Sequence, residues 1–222
     1  MIENAHLTEV LDNAVDSAVP LGLERRCGMS RRITFDFDVQ RFVHATAYLV
    51  ERCGEATKMK LAKLLYYADK EHLLAYGRPV TGDRYIKMDF GPVPSCGYNL
   101  MKHDDRASVE DQVLFDRYLS VLDNDIILKA PPDPRYLSET DREVLDHVVA
   151  SYGRLTPALL SKLSHREPAW KAAEMNREMD YRLFFAGNGD TKDVQQLVED
   201  DQELKDALAE VELEELFGIL RS

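Results

Sequence analysis

The sequence predicts a mainly α-helical protein with a small β-sheet, and three observations lead to this α+β class. Several long stretches repeat apolar residues at spacings of three and four, the period of an amphipathic helix. Segments rich in proline and glycine separate them and leave room only for short strands. The 222 residues are 45% hydrophobic, enough to build a buried core. We therefore expect a compact helical domain with a short two- or three-stranded sheet and an acidic C-terminal helix.

Three segments differ in composition along the chain. Residues 1–32 show weak periodicity and are interpreted as an N-terminal extension, and residues 33–190 as the folded domain. Residues 191–222 are interpreted as an acidic amphipathic helix. From residue 193 onward, ten acidic residues accompany two basic ones, which gives 2 − 10 = −8 of the formal net charge of −12. The apolar positions of this segment include Leu213, Leu216 and Phe217.

Two long helices begin the domain. Apolar or small residues recur at spacings of three and four from residue 38 to residue 53, and Gly54 follows where a helix would stop. The second helix begins near Thr57, which can serve as an N-cap, and ends at Gly77. Both helices have the periodicity of elements with one face against a core.

The second helix carries several lysines and tyrosines in addition to its apolar stripe. Lys60 and Lys63 lie three residues apart on one face, with Tyr66 and Tyr67 nearby. One interpretation is a solvated, charged face. The other is a surface that binds a partner or the acidic tail of the chain, because tyrosine is frequent at interfaces.

Prolines and glycines limit the next region to short elements. Residues 84–88 are predicted to form a short strand. Gly91 and Pro92 are expected to form a rigid turn after it, because glycine allows a positive φ and proline fixes its own backbone. Residues 96–105 are predicted to include a short helix.

A second pair of strands is predicted further along the chain. Residues 115–122 and 126–129 have the composition of strands, and the Asp-Asn-Asp sequence at residues 123–125 supplies a turn. Together with the strand over residues 84–88, these segments account for the small sheet.

Local start signals mark the last helices. Ser138 stands three residues before an acidic residue, a capping-box pattern, and Gly153 would close that helix. Residues 156–157 supply a threonine N-cap and a first-position proline for a short helix. Pro168 can begin another helix, which carries Trp170.

No cofactor or metal site is expected from the sequence. The six histidines have no zinc-ligand spacing, and Cys27, Cys53 and Cys96 show no paired spacing. The glycine-bearing turns lack the spacing of a phosphate loop. The N-terminus has acidic residues where a signal peptide carries basic ones, and no apolar run is long enough to span a bilayer. We therefore expect a cytoplasmic protein with no membrane segment.

Two other functions have some support in the sequence. Cys96 or Ser95, with His103, supplies the side chains of a hydrolase, although no signature motif brings them together. The helices over residues 139–163 have the length of a helix-turn-helix, which suggests a DNA-binding autorepressor. The second of these helices offers only Lys162 as a basic residue, with Arg166 beyond it, and the net charge of −12 disfavours binding to phosphates.

Two stretches together resemble the Panacea domain of the SocA-like antitoxin family. The first is TKMKLAKLLYYADKEHLLAYGRPVTGDRYIKMDFGPVPS, from Thr57 to Ser95. The second is LSETDREVLDHVVASYGRLTPALLSKLSHREPAW, from Leu137 to Trp170. With the first long helix, the resemblance extends over residues 35–180.

The resemblance implies a mainly helical domain with a small sheet, found in bacteria and their phages, with no enzyme activity. It implies an antitoxin that neutralises a protein toxin encoded nearby by direct binding. The SocA branch resembles an adaptor that hands its toxin to the ClpXP protease. Many relatives have a tryptophan before the Gly-Pro-Val sequence, in the neighbourhood of Met88 here. The residues expected to bind the partner are Lys60, Lys63, Tyr66, Tyr67, Gly91, Pro92, Val93, His165, Trp170, Leu213, Leu216 and Phe217.

Overall fold

The computed structural model of the chain describes residues 33–54 and 56–186. The predicted extension over residues 1–32 and the predicted acidic helix over residues 191–222 lie outside these ranges. Helices predominate in the described part, which confirms a mainly α fold with a small β component. Within the described ranges, the strands form two separate two-stranded sheets and not one sheet. None of the helices within residues 33–54 and 56–186 combines the length and the hydrophobicity that a membrane span requires.

The first two helices begin and end where the sequence predicts. Helix α1 spans Val39–Cys53, and the Asp38 side chain caps it by accepting a hydrogen bond from a backbone N–H of the first turn. Helix α2 spans Lys58–Tyr76 and is capped in the same way by Thr57. It ends where Gly77 takes the left-handed conformation.

The first hairpin follows α2. Strand β1 spans Tyr85–Met88 and pairs in antiparallel fashion with β2, Gly91–Pro94. The predicted first strand is therefore confirmed. The prediction of a rigid turn at Gly91 and Pro92 is wrong, because both residues belong to the second strand and the turn lies at residues 89–90.

Two prolines fit into β2 because of the hairpin register. The N–H of Ser95 donates to the Arg84 carbonyl at 2.8 Å, and bonded pairs alternate with non-bonded pairs along an antiparallel ladder. Pro92 and Pro94 therefore stand at non-bonded positions, where their missing N–H removes no hydrogen bond. The other edge of β1 exchanges backbone hydrogen bonds with residues 177–179.

The predicted short helix and second hairpin are present, with one boundary corrected. Helix α3 spans Ser95–Lys102, and helix α4 spans Val109–Tyr118. Strand β3, Leu119–Leu122, then pairs with β4, Asp125–Leu128. The prediction that the strand begins at residue 115 is wrong, since residues 115–118 are the last turn of α4.

The start of α4 explains this difference. The Ser108 side chain accepts a hydrogen bond from the Asp111 N–H at 3.1 Å, and Glu110 and Asp111 place negative charge in the first turn. Phe115, which has a high strand propensity, is fully buried as part of this helix. The cap and the tertiary packing outweigh the local preference for a strand.

The last helices begin at their predicted signals. Helix α5 spans Glu139–Tyr152 behind a complete capping box that starts at Ser138. Helix α6 spans Pro157–Ser164, and α7 spans Pro168–Ala172. A 3-10 helix, Tyr181–Ala186, completes the described chain.

Helix α2 lies at the centre of the fold. Helices α1, α5 and α6 and strand β2 all pack against it, so it is buried on nearly every side. Its leucines Leu61, Leu64 and Leu65 are fully buried. The same packing buries charged residues of α2, among them Lys63 and Asp69, and the surrounding elements must supply their hydrogen-bond partners.

Candidate functional site

A buried lysine ties the first hairpin to α2. Lys63 is 1% exposed, and its Nζ donates a hydrogen bond to the Pro92 carbonyl at 2.7 Å. Burial lowers the pKa of Lys63 to about 7. Among the described residues, no acidic group contributes to this pKa or forms an ion pair with Nζ. The lysine therefore holds the hairpin backbone without a carboxylate partner from the described residues.

Gly91 lies where β2 comes closest to α2 and α6. Its φ is +95°, a conformation that residues with a side chain rarely adopt. A Cβ atom at this position would lie 2.2 Å from Ser164 Oγ and 3.1 Å from Lys63 Nζ. Only glycine therefore allows the strand to pack at this distance.

Three side chains form a stack beside the hairpin. The rings of His165 and Trp170 lie 4.0 Å apart and nearly parallel, and Lys87 Nζ lies 4.2 Å from the centre of the Trp170 ring. Lys87 also donates to the Ala173 carbonyl at 2.9 Å. Burial, and then the nearby ammonium group of Lys63, lower the pKa of His165. The stack packs α7 and the end of α6 against β1.

Two buried aspartates fix the ends of the hairpin. Asp69 accepts hydrogen bonds from the N–H and hydroxyl of Thr81 and from the hydroxyl of Tyr85, at 2.5 to 2.9 Å. Asp83 accepts from two backbone N–H groups at the start of α3, at 2.9 and 2.6 Å. Burial raises the pKa of Asp69 to about 7 and also raises the pKa of Asp83.

A buried ion pair joins α2 to the start of α7. The Lys70 ammonium contacts the Glu167 carboxylate, and the two side chains are 5% and 10% exposed. Glu167 stands two residues after His165, so this pair also holds the segment that carries the stack. Loss of one partner would leave a buried charge without compensation.

One face of the hairpin borders an open groove of about 330 Å³. Phe90 and Met88 stand at its edge and are 65% and 41% exposed. The buried Lys63 contributes to its floor, and the exposed Lys102 and Arg106 contribute to its rim. We call this feature the hairpin groove. Its apolar lining includes Met59, Ile86, Met88, Phe90, Val93 and Tyr98.

The comparison with protein families matches the part of the chain that builds these features. Residues 61–171, half of the chain, match the family described as Antitoxin SocA-like, Panacea domain. The chain belongs to this family. No curated protein and no solved structure gives a significant match. The family resemblance seen in the sequence is confirmed.

The Panacea domain brings together residues that lie far apart in the sequence. Five of the residues expected to bind a partner meet around the first hairpin, and a sixth lines the hairpin groove. The five are Lys63, Gly91, Pro92, His165 and Trp170, and the sixth is Val93.

Three other expected residues of α2 are buried. Lys60 is 8% exposed, and Tyr66 and Tyr67 are 0% and 3% exposed. Tyr66 makes ring contacts in the core, and Tyr67 stacks on Tyr152. The interpretation of Lys60 and Lys63 as a solvated face is wrong, because neighbouring elements bury both side chains. The same burial leaves Lys60, Tyr66 and Tyr67 almost no surface to offer a partner. The expected contacts Leu213, Leu216 and Phe217 lie outside the described residues.

The side chains that a hydrolase would need, Cys96 and His103, lie at opposite ends of α3 in the Panacea domain. Cys96 stands in the first turn and His103 follows the last, so about 10 Å of helix separates them. His103 pairs instead with Asp116 at 2.9 Å. Burial raises the pKa of the Cys96 thiol, which disfavours a nucleophilic thiolate. Within residues 33–54 and 56–186, no group of three His, Cys, Asp or Glu side chains could hold a metal ion.

The two helices that a DNA-binding autorepressor would use pack against the core. Helices α5 and α6 pack on α2 through buried residues such as Val144 and Leu160. Lys162 is exposed on α6, whereas α5 exposes the acidic residues Glu143 and Asp146. This surface offers few of the contacts that DNA phosphates and bases require.

Sequence reasoning did not single out the buried acidic residues. Asp69, Asp83 and Glu167 each form hydrogen bonds or an ion pair that support the hairpin or its neighbours. From the sequence alone, acidic residues are usually expected at the surface. Asp69 lies four residues after Leu65, on the apolar stripe of α2, and this position was the signal available.

Proposed function

We propose that this protein is an antitoxin that neutralises a protein toxin by binding it directly at the hairpin groove. Membership of the SocA-like family supports the antitoxin class. The observation that supports this location of the binding site is the exposure of Met88 and Phe90 on a hairpin that is otherwise well anchored. Large apolar side chains exposed beside a groove are typical of protein interfaces.

The anchors of the hairpin support this proposal. Lys63 donates a hydrogen bond to the Pro92 carbonyl, and Asp69 accepts one from the Tyr85 hydroxyl. Gly91 allows the strand to pack closely on α6. A surface that already has its bound shape loses little conformational entropy on association. An aromatic side chain on such a support is typical of residues that dominate the binding energy.

The acidic C-terminal segment belongs to the proposal as a second contact. Its charge of −8 suits a basic surface on the toxin. Such an attraction accelerates association at low ionic strength and is screened by salt. We therefore expect deletion of residues 193–222 to weaken binding and to reduce its dependence on salt.

Coexpression with each neighbouring open reading frame tests the antitoxin role. We expect the protein to restore growth when one neighbour is toxic. The variant Phe90→Asp should lose this rescue. The matched control is Leu122→Asp on the second hairpin, because Leu122 is 63% exposed and lies outside the groove.

Two results would overturn the proposal. One is the absence of any neighbour whose toxicity the protein relieves. The other is full rescue by Phe90→Asp at wild-type protein levels, which would remove the groove from the mechanism.

The lifetime of the toxin separates masking from delivery to a ClpXP-type protease. After translation is stopped, direct masking predicts the same toxin half-life with and without the antitoxin. Delivery predicts a half-life that shortens only when the antitoxin and the protease are both present. Our proposal of direct binding as the neutralising step predicts the first outcome.

A further inference from the structure

The floor of the hairpin groove holds a buried amine, that of Lys63, with spare hydrogen-bonding capacity. Lys63 Nζ has three donors when charged, and its one hydrogen bond among the described residues goes to Pro92. A buried ammonium group without a carboxylate partner is costly, and an incoming carboxylate would reduce that cost.

The rim of the groove adds positive charge around apolar walls. Lys102 is exposed, and its Nζ lies 5.6 Å from the centre of the Tyr98 ring. Arg106 also stands at the rim, but its guanidinium already pairs with Asp104 at 2.8 Å. The groove therefore suits a segment with apolar side chains and carboxylates, with Lys63 and Lys102 as the available cations.

The chain itself contains a segment of this composition. Residues 193–222 carry ten acidic residues and two basic ones, with apolar residues recurring at spacings of three and four. Six residues of sequence separate this segment from Ala186, the last described residue. The last described part of the chain is bonded through residues 177–179 to β1, the strand that supplies Ile86 and Met88 to the groove.

We propose that residues 193–222 bind in the hairpin groove of the same chain. Leu213, Leu216 and Phe217 pack against the apolar walls, and the neighbouring carboxylates pair with Lys63 and Lys102. A toxin that uses the groove must then displace this segment, which frees its acidic residues for the toxin. We expect the contacts of the freed segment with the toxin to outweigh the cost of displacing it, so deletion of residues 193–222 still weakens toxin binding. The inference needs no toxin to be tested, so it stands or fails separately from the proposed function.

Photo-crosslinking in the full-length chain tests this inference. A benzoylphenylalanine residue is incorporated in place of Phe90 and, as the control, in place of Leu122. After irradiation of dilute protein, we expect the Phe90 position to crosslink to peptides from residues 193–222 within a monomer. The yield should exceed that from the Leu122 position by at least about tenfold.

Charge and apolar variants then identify the contacts. In the protein with the probe at residue 90, Lys102→Glu should lower the yield about threefold or more. The double change Leu213→Asp and Leu216→Asp should nearly abolish it. Lys129→Glu, on the exposed residue just after the second hairpin, should leave the yield unchanged.

Three outcomes would overturn the inference. The first is equal crosslinking from the probes at residues 90 and 122. The second is a crosslinked dimer as the main product, which would assign the groove to a second copy. The third is a yield that is unaffected by the two leucine substitutions.

Discussion

The two hairpins of this protein share a plan and differ in what holds them. Each consists of two antiparallel four-residue strands joined by a two-residue turn. Buried side chains of α2 hold the first hairpin through Pro92 and Tyr85. The second is bonded through its backbone to the residues that precede and begin α2, where the Ile126 N–H donates to the Ala56 carbonyl at 2.9 Å.

Both hairpins expose a large apolar residue to a similar extent. Phe90 is 65% exposed on the first hairpin, and Leu122 is 63% exposed on the second. Of the two, only Phe90 lies beside the hairpin groove and close to its network of buried polar groups. Exposure is therefore the same at both positions, and the support beneath Phe90 is what favours it as the binding residue in our proposal.

The largest expected effect comes from the ion pair behind the first hairpin. The single change Lys70→Met leaves the Glu167 carboxylate buried without a partner, and we expect a loss of about 3 to 5 kcal/mol in the free energy of unfolding. The double change Lys70→Met and Glu167→Leu should cost less than the single one. Urea unfolding followed by circular dichroism measures both, and a double variant less stable than Lys70→Met would contradict this account.

A smaller loss is expected at the start of β2. Gly91→Ala places a Cβ atom 2.2 Å from Ser164 Oγ at a positive φ, and we expect it to cost about 2 to 4 kcal/mol. The control Gly77→Ala has a similar φ but open space around it, so it should cost only about 1 kcal/mol. Equal losses in urea unfolding would show that contact with α6 does not govern this position.

The buried Lys63 predicts a dependence of stability on pH. Its pKa is about 7 in the folded protein and about 10.4 in an unfolded chain, so the unfolded chain binds more protons between these values. The free energy of unfolding should therefore rise with pH in this window, by about 2 kcal/mol between pH 7 and pH 9 relative to Lys63→Met. If the free energies of unfolding of the two proteins changed in parallel over this pH range, Lys63 would not be the source of the pH dependence.

The smallest effect is expected at the turn of the second hairpin. Asp123 has a φ of +53°, which glycine adopts more easily, and its side chain is exposed. We expect Asp123→Gly to change the free energy of unfolding by less than about 1 kcal/mol. A loss of more than about 2 kcal/mol, measured as for Gly91→Ala, would place the second hairpin on a par with the first.

The same contrast explains how much the sequence reveals. Asp38, Thr57, Ser138 and Pro157 are local signals, and the helices they begin were predicted correctly. The second hairpin has strand-like residues around an acidic turn, so its existence was also predictable. The last turn of α4 differs from the strand that the sequence predicts, because the Ser108 cap and the burial of Phe115 favour a helix there.

Strand β2 and its supports could not be predicted in this way. Three of the four residues in the sequence Gly-Pro-Val-Pro disfavour strands, and the segment pairs because Lys63 and Ser164, distant in sequence, fit around Gly91. The burial of Lys63 likewise depends on elements that cover α2 from several sides. Hydrophobic periodicity identifies one buried face of a helix. It cannot show that other elements bury the remaining faces as well.

The most direct test of the account compares the two exposed residues in toxin binding. Once the toxin is identified by growth rescue, its Kd is measured for the wild-type antitoxin, for Phe90→Asp and for Leu122→Asp. We predict that Phe90→Asp raises the Kd by about 30-fold or more, the effect of losing a dominant interface residue, and that Leu122→Asp changes it by less than about threefold. Equal effects of the two substitutions, with both proteins folded, would contradict the claim that the first hairpin carries the binding site.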